Sequence, residues 1–208
     1  MAVLRHLAPE TETPAAAPLG ARPPELGLQA STATLDTEQA ARRLASAVAR
    51  HHALVWRTLR RFGVPEREVD DGAQQVFLAF ADHLDDVAAG KESGYLVSVA
   101  ARVAANARRK QARSPEVLSD DVDTAVAPST PEALLGQKQL REELDRGLLL
   151  LPLEQRAVFV LFELEGFSLP EIAESLGVPL GTATSRLRRA RVSFEAWLAG
   201  RAATGEPR

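Results

Sequence analysis

The stretch GFSLPEIAESLGVPLGTATSRLRRAR, residues 166–191, holds the parts of a helix-turn-helix in order. Ser168 and Glu171 make an S-x-x-E capping box, in which each side chain satisfies an orphan backbone donor, so a helix has a defined start. Ile172, Ala173 and Leu176 supply an apolar stripe at helical spacing. Gly177 stands where that helix must stop, because glycine takes the left-handed closing conformation at little cost. Pro179 follows, where a first helical residue loses nothing by lacking an N–H, and predicts a second helix at once. That second helix carries Arg186, Arg188, Arg189 and Arg191 and has no acid between Leu180 and Ser193. Two short helices, a tight turn and a basic second helix predict a reader of the DNA major groove.

At roughly 100° per residue, Leu180, Ala183, Leu187, Ala190, Phe194 and Leu198 share one side, the expected buried face. Thr182, Ser185 and Arg189 point nearly the opposite way, with Arg186 and Arg188 on the flanks. Hydroxyls can bond phosphates or base edges, and an arginine can grip guanine with two parallel bonds. The flanking arginines read as phosphate contacts, which set register without reading sequence. A solvated basic face is the plain alternative, and the capped helix and glycine turn directly upstream argue against it. Trp197, on the edge of the apolar side, reads as a core plug.

Working outward, the remaining charge is blocked rather than mixed. Residues 101–113 hold five bases (Arg102, Arg108, Arg109, Lys110, Arg113) and no acid, and residues 114–132 hold five acids and no base. Two basic patches separated by an acidic connector predict two nucleic-acid contacts, although the net charge is only −3. The 208 residues suffice for one large domain or two small ones. With no cysteine, disulfides, thiol chemistry and cysteine-ligated zinc are excluded. No apolar run approaches the roughly 18 residues of a membrane span, and the first residues do not read as a secretory signal, so a cytoplasmic protein is expected.

Residues 1–33 are Pro-, Ala- and Thr-rich without periodicity and read as a mobile tail. Asp36 with Gln39 could cap a helix from Thr37 to Phe62, ended by Gly63. Pro65 opens a second helix running to Leu84, with Val69, Ala73, Val76, Phe77 and Phe80 inward and acids in its first turn, as the helix dipole favours. Asp85–Gly94 reads as a loop, and a third helix runs from Gly94 to Arg113. Residues 114–130 form an acidic linker, Thr130-Pro131 and Pro152 open further helices, and residues 201–208 read as a short tail. The expected fold is all-α: two small helical domains, 34–113 and 131–200, joined by a flexible acidic linker.

The motifs now assembled resemble a known family. LPLEQRAVFVLFELEGFSLPEIAESLGVPLGTATSRLRRAR (151–191) looks like region 4 of a bacterial RNA polymerase sigma factor of the extracytoplasmic-function (ECF) group. VDDGAQQVFLAF (69–80) and YLVSVAARVAANARRKQAR (95–113) are similar to region 2 of the same group. The resemblance implies a dissociable subunit that binds core RNA polymerase and directs it to promoter DNA, with an anti-sigma factor as regulatory partner. It implies that Asp70, Asp71, Gln74, Gln75 and Phe77 lie where family members meet the polymerase's coiled coil; the residues themselves read Phe77 as core. It aligns the Asp85–Gly94 loop, with Lys91, to the element that captures a base flipped from the upstream promoter strand, a task that needs a pocket and close backbone approach. Tyr95 could stack on a base or close the three-helix core. Arg102, Arg108, Arg109 and Lys110 would hold the opening strand, and Thr182, Ser185, Arg186, Arg188 and Arg189 would read the farther element. The acidic linker would mimic nucleic acid in a polymerase channel, or serve as a soluble spacer.

The chain departs from the family pattern at Tyr95, Arg102 and Asn106, and at Gly72, which replaces an aliphatic inside a helix at about 1 kcal/mol against Ala. A stand-alone helix-turn-helix regulator is the alternative, but the acidic-then-aromatic second helix has no task in it. No enzyme is expected: the adjacent His51 and His52 diverge on a helix, and no phosphate-binding loop or nucleophile motif is present. No metal or cofactor is expected either.

Overall fold

The computed structural model describes residues 37–113 and 131–204. Every regular element among them is helical: α1 (Thr37–Phe62), α2 (Glu66–Asp82), α3 (Glu92–Arg113), α4 (Pro131–Leu149), α5 (Leu153–Phe159), α6 (Leu169–Leu176) and α7 (Leu180–Thr204). A π-helical turn, Val160–Leu164, continues α5. The expected tail at 1–33, the Asp36 cap and the linker at 114–130 lie outside the described residues. Three boundaries differ from expectation, the first being the end of α2, at Asp82 instead of Leu84. Helix α3 starts two residues early, at Glu92, and α7 runs on to Thr204, through part of the expected tail.

Glycine punctuates both halves as read. Gly63, at φ +93, closes α1: its N–H bonds Arg60 O at 2.9 Å while Val64 N–H reaches Leu59 O at 3.1 Å. That pair of bonds is the Schellman closure, which satisfies carbonyls the helix leaves orphaned. Helices α1, α2 and α3 then bury Val55, Leu59, Val69, Val76, Phe80, Leu96 and Val99 against one another. Gly72 faces both α1 and α3: a Cβ there would stand 3.3 Å from Leu59 Cδ1 and 3.4 Å from Val103 Cγ1. The helix propensity lost at Gly72 is therefore set against closer helix approach.

The second half packs α5, α6 and α7 around Ala157, Leu161, Ile172, Leu187 and Ala190. Trp197 plugs this core from the side as expected, its ring against Phe194 (centroids 5.3 Å apart) and over Gly147, where a Cβ would come within 2.4 Å of the indole.

The two halves pack on one another and share a core. Helix α6 lies on α3 so closely that a Cβ on Gly94 would be 3.0 Å from Ser175 Oγ. Charge lines the same seam. Glu165, its side chain only 3% exposed, accepts from Arg57 at 2.8 Å and from Arg61. Arg60 reaches Asp145 at 3.2 Å and Lys91 reaches Glu174 at 2.9 Å. Arg156 of α5, 2% exposed, donates to Phe62 O (3.0 Å), Leu149 O (2.8 Å) and Leu151 O (2.9 Å). No helix is long and apolar enough to cross a membrane among the described residues.

Candidate nucleic-acid interface

The helix-turn-helix is built as its sequence specifies. Ser168 Oγ accepts Glu171 N–H, and Ser168 N–H donates to Glu171 Oε2 at 2.8 Å, so both halves of the capping box are made. The Ser168 hydroxyl also donates to Glu171 Oε2 at 2.6 Å, and this bond, with the one from the Ser168 backbone, holds the Glu171 carboxyl below its ordinary range. Gly177 closes α6 in the left-handed region (φ 63, ψ 39), with Val178 N–H on Ala173 O at 3.0 Å. Pro179 carries the turn into α7, its carbonyl accepting the N–H groups of Thr182 (2.9 Å) and Ala183 (3.1 Å).

Ala183, Leu187 and Ala190 are buried, and Phe194 stacks obliquely on Phe159 with centroids 5.1 Å apart. Leu180 and Leu198, expected on the same face, are exposed; beyond Phe194, α7 meets α4 through Trp197 and Arg201. On the other side Arg188 and Arg189 are exposed and Thr182 and Ser185 half-buried. Arg189 folds back along its own helix, with Nη2 donating to Ser185 Oγ at 3.3 Å, so the two polar groups present a common surface. Arg191 is drawn away to Glu163 at 2.6 Å and packs over the Phe162 ring.

Arg186 corrects the sequence reading: in place of a flank facing phosphate, it occupies a site where it is 4% exposed. Burial pulls its pKa down, opposed by the Glu154 carboxylate and reinforced by Arg189. A helical wheel locates a flank but not what packs on it; here α5 packs on α7, and the Glu154 carboxylate is near enough to act on Arg186.

In the first half, Arg108, Arg109 and Lys110 are exposed at the end of α3, with Arg109 donating to Asn106 Oδ1. Tyr95, which the sequence leaves open between stacking and core, belongs to the core: it is 6% exposed and its hydroxyl donates to Ala79 O at 3.2 Å. Burial pushes its phenol pKa up, and the nearby half-buried Arg102 pulls it back. Arg102 thus lies near enough to Tyr95 for its charge to act there. Between α2 and α3 the loop leaves Ala88, Ala89, Gly90 and Lys91 exposed. Gly90 has φ +83 and open space where a Cβ would point.

On α2, Asp70, Asp71, Gln74 and Gln75 are all exposed. Trp56 Nε1 donates to Asp70 Oδ1 at 3.0 Å, fixing that carboxylate. Phe77 is half-buried and lies parallel to the His52 ring, centroids 6.4 Å apart. Leu78, 57% exposed, extends this surface and escapes the sequence reading, although it falls seven residues after Asp71 and four after Gln74 on one helical stripe. A crevice of about 400 Å³ between α2 and α3 connects Asp71 and Gln75 with Asn106 and Lys110.

Two family models match the chain: Sigma-70 region 2 over residues 47–114 and Sigma-70 region 4 over residues 141–193. The chain is 33% identical over 145 residues to the ECF RNA polymerase sigma-E factor of Escherichia coli, covering 64% of this chain and 74% of that one. It is 31% identical over 154 residues to the ECF RNA polymerase sigma factor SigE of Mycolicibacterium smegmatis, covering 73% of this chain and 60% of that one. Among solved structures, CnrH in complex with the cytosolic domain of CnrY superposes with a TM-score of 0.56 at 28% identity, over 78% of this chain and 94% of that one. The sigma factor RpoE of Bartonella quintana, solved with the anti-sigma factor NepR, shares the fold with a TM-score of 0.54 at 22% identity, over 73% and 96% of the two chains.

Proposed function

Since the chain belongs to the ECF group of RNA polymerase sigma factors, we propose that it binds core RNA polymerase and directs it to promoters, with no catalysis of its own. One observation carries the reading: a capped helix-turn-helix whose exposed Arg188 and Arg189 adjoin half-buried Thr182 and Ser185 shares a chain with an exposed acid-and-amide face on α2. The first suits a promoter element read through the major groove, where arginine and hydroxyl side chains discriminate base edges. The second, Asp70, Asp71, Gln74 and Gln75 with Leu78, suits a charged helical partner on the polymerase.

In this reading Arg108, Arg109 and Lys110 hold the phosphate backbone of the opening strand. The loop tip at Ala88–Lys91 receives the extruded base, with open space at Gly90 to let backbone approach it. Arg186 and Tyr95, both buried, leave the set of contacts, and Arg102 stands close to Tyr95. The chain spans residues that cover 60% of the mycobacterial relative and 74% of the enterobacterial one, and an anti-sigma partner of the kind solved with the Bartonella protein belongs to the same proposal. Its place of action is the cytoplasm, with the polymerase.

Run-off transcription with purified core polymerase on fragments of the protein's own genome tests this. New transcripts should appear only with the protein and be lost in the Arg188→Ala/Arg189→Ala double variant. An Asp70→Ala/Asp71→Ala variant should lose core binding. A protein that ignores core polymerase and shifts duplex DNA alone would instead be a stand-alone regulator.

A further inference from the structure

Arg43, near the start of α1, reaches across to the loop that joins α2 to α3. Its Nη1 donates to Leu84 O at 2.6 Å, and its Nη2 donates to Val87 O and to Glu92 Oε1, the latter at 3.3 Å. Glu92, the first residue of α3 and 5% exposed, accepts Gly90 N–H on its other oxygen at 2.7 Å. The side chains of Leu84 and Val87 are buried beneath, and the Arg43 guanidinium lies 6.0 Å over the Phe80 ring. Two side chains thus fix the backbone at residues 84, 87 and 90, on either side of the exposed Ala88 and Ala89.

Such a pair is not what loop closure alone calls for. A largely buried Arg–Glu pair is weak as a source of stability, because desolvating both charges offsets much of their attraction, and its best-attested use is to specify one geometry. Here every bond beyond the pair goes to loop backbone. The guanidinium takes two carbonyls that point inward, the carboxylate takes the amide of the glycine at φ +83, and what remains outward is a short tip with a preset path. Preset geometry removes the ordering that a mobile tip would undergo on meeting its ligand.

We infer that Arg43 and Glu92 are positioning residues for this tip, holding Ala88–Lys91 in the shape that accepts an extruded promoter base. The inference rests on the loop's role given under Proposed function. It assigns α1 a part in promoter opening through a residue that touches no DNA itself.

The test uses the full chain with core polymerase on a promoter obtained by run-off transcription. Three proteins are compared with the parent: Arg43→Gln, Glu92→Gln, and a tip variant carrying Ala89→Glu with Lys91→Ala. The readouts are core affinity, permanganate reactivity of the opened strand, and the ratio of transcripts from the promoter and from single-base variants of its upstream melted element. Arg43→Gln should keep core affinity within about twofold, lower opening by about tenfold to a hundredfold and narrow the single-base ratio, since small misplacements carry penalties of that order. Glu92→Gln, which leaves the Arg43 bonds to the loop carbonyls in place, should shift the same readouts less, and it decides the matter if Arg43→Gln fails to fold. Parental opening and discrimination in the folded variants, with the tip variant impaired, would overturn the positioning role alone. A tip variant that opens promoters normally would remove the loop's role beneath it. Opening and core affinity falling in parallel would reduce Arg43 to a structural residue.

Discussion

Removing the Arg156 guanidinium should destabilise the protein by about 2–4 kcal/mol, although no carboxylate among the described residues pairs with it. Phe62 and Leu149 are the last residues of α1 and α4, and Leu151 lies in the turn before α5, so Arg156 satisfies carbonyls at two helix ends. Such carbonyls lack intrahelical partners and carry the negative end of the helix dipole, a favourable place for a cation. The bonds to Phe62 and Leu151 are buried and that to Leu149 is partly wet, so the third counts for less. At about 1–3 kcal/mol for each buried acceptor left unmet, two full losses and a partial one set the gross effect. Part is returned, because the buried guanidinium is itself held at a cost, seen in its pKa pushed down to about 10 by desolvation and by Arg108. Arg156→Met keeps the aliphatic stem and removes the donors together with the charge. Urea unfolding of the full chain, compared at equal m-value, measures the difference. A loss below about 0.5 kcal/mol would mean that water or relaxed backbone replaces the donors, and the argument from helix ends would be wrong. Gly63→Ala should be similarly harmful for two reasons: its φ is +93, and a Cβ would stand 2.6 Å from Arg156 Nη1.

Three further outcomes are expected. Ser168→Ala removes the hydroxyl that accepts Glu171 N–H and donates to its carboxylate, leaves the backbone half of the capping box, and should cost about 1 kcal/mol, read from the same unfolding curves. Glu165→Gln leaves Arg57 and Arg61 without their shared carboxylate; a double-mutant cycle with Arg61→Gln should give a coupling of about 1 kcal/mol or more, and zero coupling would make the buried pair incidental. Burial pushes the Glu92 carboxyl up, but the bonds from its own backbone, Arg43 and Gly90 outweigh this and hold it below its ordinary value. A carboxyl so depressed contributes stability that is complete above about pH 4.3 and lost as pH falls through its native value. The unfolding free energy of Glu92→Gln, measured by urea titration at a series of pH values, should therefore fall less steeply than the parent's as pH drops through that window.

What the sequence disclosed was mostly local chemistry. Ser168, Glu171, Gly177 and Pro179 each specify a backbone event within four residues, and all four events occur close to where the sequence places them. Gly63 and the inward faces of α2 and α3 are legible for the same reason. Placement between distant segments was not. Arg186 reads as a flank residue until α5 packs on α7, and Tyr95 reads two ways until its hydroxyl meets Ala79 O, sixteen residues earlier. Arg43 and Glu165 gave no signal at all, since their partners lie 41 to 108 residues away and no periodicity records them. The π-helical turn at Val160–Leu164 was likewise invisible in an apolar run that reads equally as α-helix.

The packing of α6 on α3 turns availability into a question of fractions. A partner that needs the covered part of α3 can bind only molecules in which the seam has parted, and its apparent dissociation constant is the intrinsic one divided by that fraction. With one molecule in a hundred parted, half-occupancy takes roughly a hundredfold more partner. Much of what holds the seam is ionic, with Arg57, Arg60, Arg61 and Lys91 facing Glu165, Asp145 and Glu174. The exposed members of that set, Lys91 and Glu174 above all, are the ones that dissolved salt screens. Added salt would loosen the ionic part of the seam and leave its shared apolar core in place.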